Sequence, residues 1–424
     1  MSERILPIAP WQREGAPAVR GPSPGTLRAE RPAGSLYIHV PFCFHKCHYC
    51  DFYSLVDGQD RMGAFVNRLV EELRAIAPWS GGRPLDTVFI GGGTPTLLPV
   101  PLWERLLATL RGVFDLSRMG GRGCGEFTVE CNPETATPEL MALLAGGGVT
   151  RLSLGAQSFD PGHLKTLERW HDPLNVARAV ALARAAGISR LSVDLIYAIP
   201  GQTVGEALAD IDRALELGVE HVSAYSLTYE PGTAMTARLS RGEFTPADEE
   251  TDAAMFSAVR ARLRGAGYRA YEVSNFALPG AECRHNLAYW RQRPWMAAGP
   301  SASAHLAGHR WKNAPRLGTY LETSFDGQPP VVEHETPDPR RALAERIMTG
   351  LRLAEGLDAA SILAEAGRIS GDTARAVRAH AEGLRASGLL RGSRAARPER
   401  WALTEEAVLR ADGIASAFMA VVDP

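Results

Sequence analysis

The sequence predicts an α/β protein: a partial (β/α)6 barrel followed by a small, winged-helix-like α+β unit. Two observations predict it. From Leu36 onward, short apolar or β-branched runs alternate with helical patterns, six times over. Beyond about Pro337 the pattern changes to consecutive amphipathic helices and a pair of short strand-like runs. Strand–helix repetition implies a parallel sheet with right-handed crossovers. Six units rather than eight leave such a barrel open.

The strand-like runs are LYIHV (36–40), TVFIGG (87–92), FTVEC (127–131), RLSLGAQ (151–157), LSVDLIY (191–197) and HVSAYSL (221–227). Helical patterns fall between them at 61–77, 102–114, 138–146, 173–186 and 205–217. Pro138 and Pro173 suit first-turn positions, and Gly187 and Gly218 suit helix exits. In the C-terminal part, residues 340–353 carry a 3.6-residue apolar period, and two further helical stretches cover 358–366 and 371–387. Residues 388–391 and 400–404 bracket a polar turn, as a β wing would, and a last helix is expected over 405–421. The expected division is a disordered arm over 1–33, a barrel over 34–270, a connecting region over 271–336 and the winged-helix-like unit over 337–424.

Composition narrows the class. The chain has 424 residues, 45 % hydrophobic content and a formal net charge of −2, enough for two or three domains and a large core. No strongly basic face is implied, so nucleic acid is not an expected partner, and the mixed charge of the C-terminal unit points to a lid or docking role rather than DNA. No apolar run reaches the ~18 residues that span a bilayer. The Pro-, Gly- and Arg-rich start lacks the apolar core of a signal peptide. There are only six cysteines, and Cys124, Cys131 and Cys283 are scattered without a framework spacing, which fits reduced thiols in a cytoplasmic protein.

The other three cysteines carry the chemistry. Cys43, Cys47 and Cys50 lie in YIHVPFCFHKCHYC, directly after the first strand, with spacing C-x3-C-x2-C. Three thiolates on one tight loop suit a [4Fe–4S] cluster with one iron left open to a small molecule. Zinc favours paired C-x2-C knuckles, and no second pair follows. In such barrels chemistry gathers at the C-terminal strand ends, where this loop lies.

Other strand ends are unusual too. Gly91-Gly92-Gly93-Thr94-Pro95 follows the second strand, and its glycines admit a ligand close to the backbone. The third strand ends in Glu130-Cys131-Asn132-Pro133. On the fourth, Ser153, Gly155 and Gln157 share one face by period-two alternation. Asp194 interrupts an apolar fifth strand. A buried carboxylate needs a partner. Arg151 or Arg169 is one candidate; a ribose hydroxyl or a substrate cation is the other.

The blocks YIHVPFC, GGGTPT, ECNP, RLSLGAQSF and DLIYAIPGQT resemble the oxygen-independent coproporphyrinogen III oxidase-like family of radical S-adenosylmethionine (SAM) proteins. The resemblance covers roughly residues 35–420. It implies that Cys43, Cys47 and Cys50 hold the [4Fe–4S] cluster, that Tyr37 packs near it, and that Tyr49 lends its backbone to the adenine. It places Gly92, Gly93 and Thr94 at the methionyl amine and carboxylate, and Glu130, Gln157, Arg169 and Asp194 at methionine or ribose polar groups. It also implies an electron donor for the cluster.

Two features resemble the haem-chaperone branch rather than the oxidase. Phe52 stands where the oxidase has a further cysteine. Cys283-Arg284-His285-Asn286 leads into Tyr289-Trp290, the H-N-x-x-Y-W pattern of that branch. One block departs from it: Gly299-Pro300-Ser301-Ala302-Ser303-Ala304-His305 replaces a G-x-G-A-H turn. Haem needs an axial ligand in an apolar setting. His285, flanked by Tyr289, Trp290 and Trp295, is the ligand the resemblance favours, with Cys283 and His305 as alternatives. His39, His45, His48 and His171 are expected near the cluster or on the surface. The implied function is a haem chaperone that binds haem and passes it to an acceptor protein, without a transmembrane segment but compatible with transient membrane contact. The alternative is the oxidase itself.

Overall fold

A computed structural model describes residues 19–25, 27, 32–119, 124–391 and 399–422. Its main sheet draws on strands β1 (Val19–Arg20), β2 (Ser35–Val40), β3 (Thr87–Gly92), β4 (Glu126–Cys131), β5 (Arg151–Gln157), β6 (Arg190–Tyr197), β7 (His221–Ser226), β8 (Arg269–Ala270), β9 (Asn275–Ala277), β10 (Trp295–Ala298), β11 (Ser303–Leu306), β12 (His309–Asn313) and β13 (Pro330–Glu335). Their order in space is β1-β13-β12-β11-β10-β2-β3-β4-β5-β6-β7-β9-β8. The central run from β2 to β7 is parallel and in sequence order, the six units that the alternation predicts.

Alternation explains how these strands face two environments. Outward residues such as Leu36, Ile38, Val88, Ile90, Phe127, Val129, Leu152, Leu154, Leu191 and Val193 are fully buried beneath helices. Each such side chain stabilises the fold by roughly 1.5–3 kcal/mol. The covering helices begin with α1 (Met62–Ile76), α2 (Val100–Val113), α3 (Pro138–Gly146), the short α4 (Pro161–Thr166), α5 (Leu174–Ala185) and α6 (Val204–Glu216). Thr137 caps α3 through Leu140 N at 3.2 Å, and Thr203 with Glu206 forms a capping box on α6. The inward set is mostly polar: Ser35, Tyr37 and His39; Thr87, beside the apolar Phe89; Glu126, Thr128 and Glu130; Arg151 and Ser153, with Gly155; Ser192 and Asp194; His221 and Ser223. A one-residue slip would exchange the two sets, so the register is strongly fixed.

The stretch 271–336 is more than a connection. After α7 (Ala234–Ser240) and α8 (Glu249–Gly265), β9 pairs antiparallel with β7, and β10 pairs parallel with β2 on the opposite side. Between them lies α9 (Arg284–Trp290), and α10 (Leu317–Glu322) follows β12. Buried Glu72 on α1 fastens this edge by accepting Gly299 N at 2.9 Å, Asn313 Nδ2 at 2.7 Å and the Tyr320 hydroxyl at 2.7 Å. Gly299 has φ +96°, and a Cβ there would stand 2.3 Å from the His39 carbonyl oxygen, so this glycine retains the close backbone approach of its turn.

The described part of the expected disordered arm is ordered. Val19 pairs with Val331 and Arg20 with Pro330, and Leu27 is buried; residues 1–18, 26 and 28–31 lie outside the described residues.

The C-terminal part contains α11 (Pro339–Arg352), β14 (Leu357–Asp358), α12 (Ala359–Ile369), α13 (Gly371–Ala386), β15 (Arg400–Trp401) and α14 (Ala411–Val422). β14 pairs with β15, and Leu390 bridges Leu403. The last helix starts at Ala411, after a 3-10 turn at Val408–Arg410, later than the apolar pattern suggests. These elements enclose their own apolar core, including Leu343, Ile347, Trp401 and Phe418. Arg260 of α8 pairs with Glu405 at 3.0 Å, and Ala354 N donates to Tyr271 O at 2.9 Å, so this unit rests against the barrel.

Candidate cofactor site

The cysteine loop leaves β2 at its C-terminal end and is held by the strands beside it. Cys43 N donates to Leu55 O at 2.9 Å, and Phe42 bridges Leu55, which closes the loop on itself. His48 N donates to Leu167 O at 3.2 Å, and His48 O accepts Met235 N at 2.9 Å. Cys43, Cys47 and Cys50 all line one cavity of about 850 Å³ that runs from this loop into the barrel. Burial raises the Cys43 thiol, against the Thr94 hydroxyl that donates to Sγ at 3.7 Å, and pushes Cys50 up to about 11. Thiols must lose their protons to bind iron, so metal loading releases protons here.

Among the described residues no three His, Cys, Asp or Glu side chains are gathered to hold a single metal ion. A [4Fe–4S] cluster spreads its thiolates over separate corners, so the three thiols need not converge.

Around the loop the cavity wall is built for a polar ligand. Gly92, at φ +110°, donates its N–H to Glu130 Oε2 at 2.9 Å. A Cβ on Gly92 would stand 2.6 Å from the His39 ring, and one on Gly93 would stand 2.6 Å from Phe42 O. Thr94 N donates to Phe42 O at 2.7 Å. Burial raises Glu130 to about 7; the Gly92 N–H opposes this and the Asp194 charge adds to it. Arg169 donates to Gly155 O at 2.9 Å and towards Cys47 Sγ at 3.7 Å, while its buried Nε has no partner. Gln157 occupies a bulge with φ +65°, and its amide lies over Gly155. Tyr49 lines the same cavity and packs against a small apolar cluster with Leu167, Ile196 and Met235. A glycine cradle, an unpaired guanidinium nitrogen and a carboxylate beside three thiols fit SAM, which offers an amine, a carboxylate, ribose hydroxyls and a sulfonium cation.

Asp194 differs from the sequence expectation. Neither Arg151 nor Arg169 is its hydrogen-bonding partner. It accepts hydroxyls instead: Ser223 at 2.6 Å, Ser153 at 3.0 Å and Ser192 at 3.4 Å. Burial raises its pKa and the serine hydroxyls oppose that. Arg151 is instead paired with Glu126 at 3.0 Å, both enclosed.

Tyr37 stands inside the barrel. His39 Nε2 donates to Tyr53 O at 2.7 Å, so its Nδ1 accepts the Tyr37 hydroxyl at 3.0 Å. Burial lowers His39 to about 4, which keeps the ring neutral beneath Gly92. Tyr37 thus bears on the glycine turn through His39.

His285 lies on α9, which closes the barrel floor. Glu126 Oε1 caps this helix, accepting Arg284 N at 2.8 Å and the Cys283 thiol at 3.4 Å. His285 is fully buried; its Nδ1 meets the Thr87 hydroxyl at 2.8 Å, and its ring packs on Phe89 and Tyr289. Its Nε2 has no partner, and burial lowers it to about 3. Asn286 reaches Tyr271 at 3.5 Å, and Trp290 lies under the Arg352 guanidinium, so the H-N-x-x-Y-W helix faces both the barrel and the C-terminal unit.

Sequence reasoning missed most of the polar lumen. Thr128, Ser192, His221, Ser223 and Tyr225 also line the cavity. The signal was present, since β3, β4, β6 and β7 alternate just as β5 does. It also missed Val408, Leu409 and Asp412 of the C-terminal unit in the cavity wall, for which the sequence holds no signal.

An open parallel barrel with a three-cysteine loop at its C-terminal end defines the radical SAM class, and residues 37–214 match the Radical SAM superfamily. A [4Fe–4S] cluster and SAM are the cofactors of that class. The chain is 37 % identical over 395 residues to the heme chaperone HemW of Mycobacterium tuberculosis, covering 92 % of this chain and 95 % of the relative. It is 36 % identical over 323 residues to HemW of Lactococcus lactis, covering 76 % and 82 %. The chain belongs to the HemW family of radical SAM proteins. The solved structure of coproporphyrinogen III oxidase (HemN) from Escherichia coli superposes with a TM-score of 0.75 at 21 % identity, over 92 % of this chain and 90 % of that one, and so shares the fold. Among the described residues no helix is long and apolar enough to cross a membrane.

Proposed function

We propose that this protein is a cytoplasmic haem chaperone that binds haem and transfers it to an acceptor protein, carrying a [4Fe–4S] cluster and SAM. The observation that carries this reading is near full-length similarity to proteins named heme chaperone HemW. Phe52, where the oxidase has a cysteine, supports it.

In this reading Cys43, Cys47 and Cys50 hold the cluster. Gly92, Gly93 and Thr94 shape the methionyl end of the SAM site, Glu130 and Arg169 offer it opposite charges, and Gln157 and Asp194 offer it hydrogen bonds. Tyr49 supports the adenine, and Tyr37 braces the glycine turn. When bound, the cluster supplies one electron at a time to SAM, so an electron donor must dock near the loop. His285 would serve as haem ligand only if α9 left the barrel floor. The stretch 337–424 acts as a docked unit that walls the cavity, and nucleic acid is not a partner.

Anaerobic reconstitution followed by parallel assays tests the reading. Haem should bind at about one per chain, and coproporphyrinogen should remain undecarboxylated with reduced cluster and SAM present. Turnover without a stoichiometric haem complex would make the protein an oxidase.

A further inference from the structure

A second cavity, of about 200 Å³, lies where the C-terminal unit rests against the barrel. It shares only Arg352 and Val408 with the wall of the cofactor cavity. Its charge is one-sided, because five arginines line it against two glutamates, Glu272 and Glu405. Arg260 and Arg264 come from α8, Arg269 from β8 and Arg352 from the end of α11. Arg391 and Glu405 come from the two sides of the wing, just beyond the bridged pair Leu390 and Leu403.

Two of these charges are committed elsewhere. Arg352 pairs with Asp412 and lies over the Trp290 ring. Glu272 is buried and accepts Asn275 Nδ2 at 2.6 Å and Ser274 N at 2.8 Å. Four arginines and one carboxylate remain. Glu405 accepts buried Arg260 Nε at 3.0 Å and lies 3.8 Å from Arg264. Burial pushes the Glu405 carboxyl up, but the Arg260 bond and the charges of Arg260, Arg264 and Arg391 hold it below its ordinary value. Arg391 is fixed by donating Nε–H to Leu403 O at 2.9 Å. The Arg269 guanidinium has no hydrogen bond or ion pair among the described residues. An ion pair between the two units needs one arginine for one carboxylate. Four guanidiniums around one cavity repel each other and draw in an anion.

We propose that this cavity binds free hydrogen phosphate, with Arg260, Arg264, Arg269 and Arg391 around its oxygens and Glu405 accepting its hydroxyl. Guanidinium forks match the spacing of phosphate oxygens. The carboxylate selects among anions, because it can only accept a hydrogen bond. Inorganic phosphate keeps a hydroxyl at neutral pH and so satisfies the arginines and Glu405 together. Sulfate has no proton to offer and meets Glu405 as a like charge. A phosphate monoester, with a second pKa of about 6, is mostly without that proton as well. The site draws on both units, so an occupied cavity ties the C-terminal unit to the barrel and steadies Val408, which also walls the cofactor cavity.

The test is calorimetric titration of the cluster-loaded full chain with potassium phosphate, potassium sulfate and glycerol phosphate, at matched ionic strength and a pH of about 7.5. Thermal unfolding in each salt, against chloride, is the second readout. Phosphate should bind tightest and raise the melting temperature most, as a ligand of the folded state does. Arg269→Ala and Arg391→Ala should each weaken phosphate binding about tenfold, the loss of one charge-assisted contact. Glu405→Gln should narrow the preference for phosphate over sulfate. That variant also weakens the bond to Arg260, so Arg269→Ala, which breaks no described contact, keeps the test decisive if Glu405→Gln loosens the C-terminal unit. The proposal is overturned if sulfate or glycerol phosphate binds the parent as tightly as phosphate. It is also overturned if phosphate does not bind the parent, or if the double variant Arg269→Ala with Arg391→Ala binds phosphate like the parent.

Discussion

Arg169 illustrates how few groups set the site at the residue scale. Two of its nitrogens are spent on Gly155 O and Cys47, and the third is buried without a partner. The cysteines divide just as sharply. Cys43→Ala, Cys47→Ala and Cys50→Ala should each prevent reconstitution of about four irons per chain. Cys124→Ala and Cys131→Ala should not, and iron analysis with visible absorption decides. Asp194→Ala should weaken SAM binding by about 1–3 kcal/mol by calorimetry, if the carboxylate held by three serines meets a SAM hydroxyl. Unchanged affinity with lowered thermal stability would leave it a structural group. Glu130 adds a pH signature. Its folded pKa, about 7, lies above its unfolded value, so the folded protein binds the extra proton and apo-protein stability falls as pH rises towards 7. Glu130→Gln should therefore raise apo-protein stability by up to roughly 3 kcal/mol at pH 8 and by little near pH 4, read from urea unfolding at both pH values.

At the scale of elements, the α9 floor depends on one carboxylate. Glu126 caps the helix, pairs with Arg151 and also meets Arg190 at 3.4 Å. Arg151 and the cationic side hold it below the usual carboxylate range against its burial. Glu126→Ala strands a buried guanidinium and uncaps α9 together, so a loss of about 3–5 kcal/mol is expected in denaturant unfolding. A loss under 1 kcal/mol would show that the floor is held by its apolar contacts with Tyr37, Phe89 and Trp295 instead. The strands of the parallel core were legible within a residue or so, because each carries its own alternation. β9 and β10 were not, because each is short and its place is fixed by partners far away in sequence: Val222 for Phe276, and Leu36 for Met296.

At the scale of the whole molecule, two cores meet at one cavity. The barrel core and the C-terminal core are separate, yet Val408, Leu409 and Asp412 wall the cofactor cavity. Phe418 is fully buried in the smaller core and packs edge-on against His380 at 4.5 Å. Phe418→Ala should cost about 3–5 kcal/mol there. Hydrogen exchange should quicken across 339–422 while strands β2 to β7 keep their protection and the cluster stays bound. Equal loss of protection in both parts would mean that they unfold as one.

The sequence by itself determined the parallel barrel, the cluster loop and the glycine cradle, because alternation, spacing and turn chemistry are local properties of the chain. It did not determine what surrounds each side chain. Asp194 met three serines rather than an arginine, His285 was sealed under α9 while Phe44, Phe52 and Trp170 came to the surface, and Leu409 arrived in the cavity wall from more than 350 residues beyond the cysteine loop. Burial and pairing of this kind arise only when distant segments pack, so only the tertiary structure could decide them.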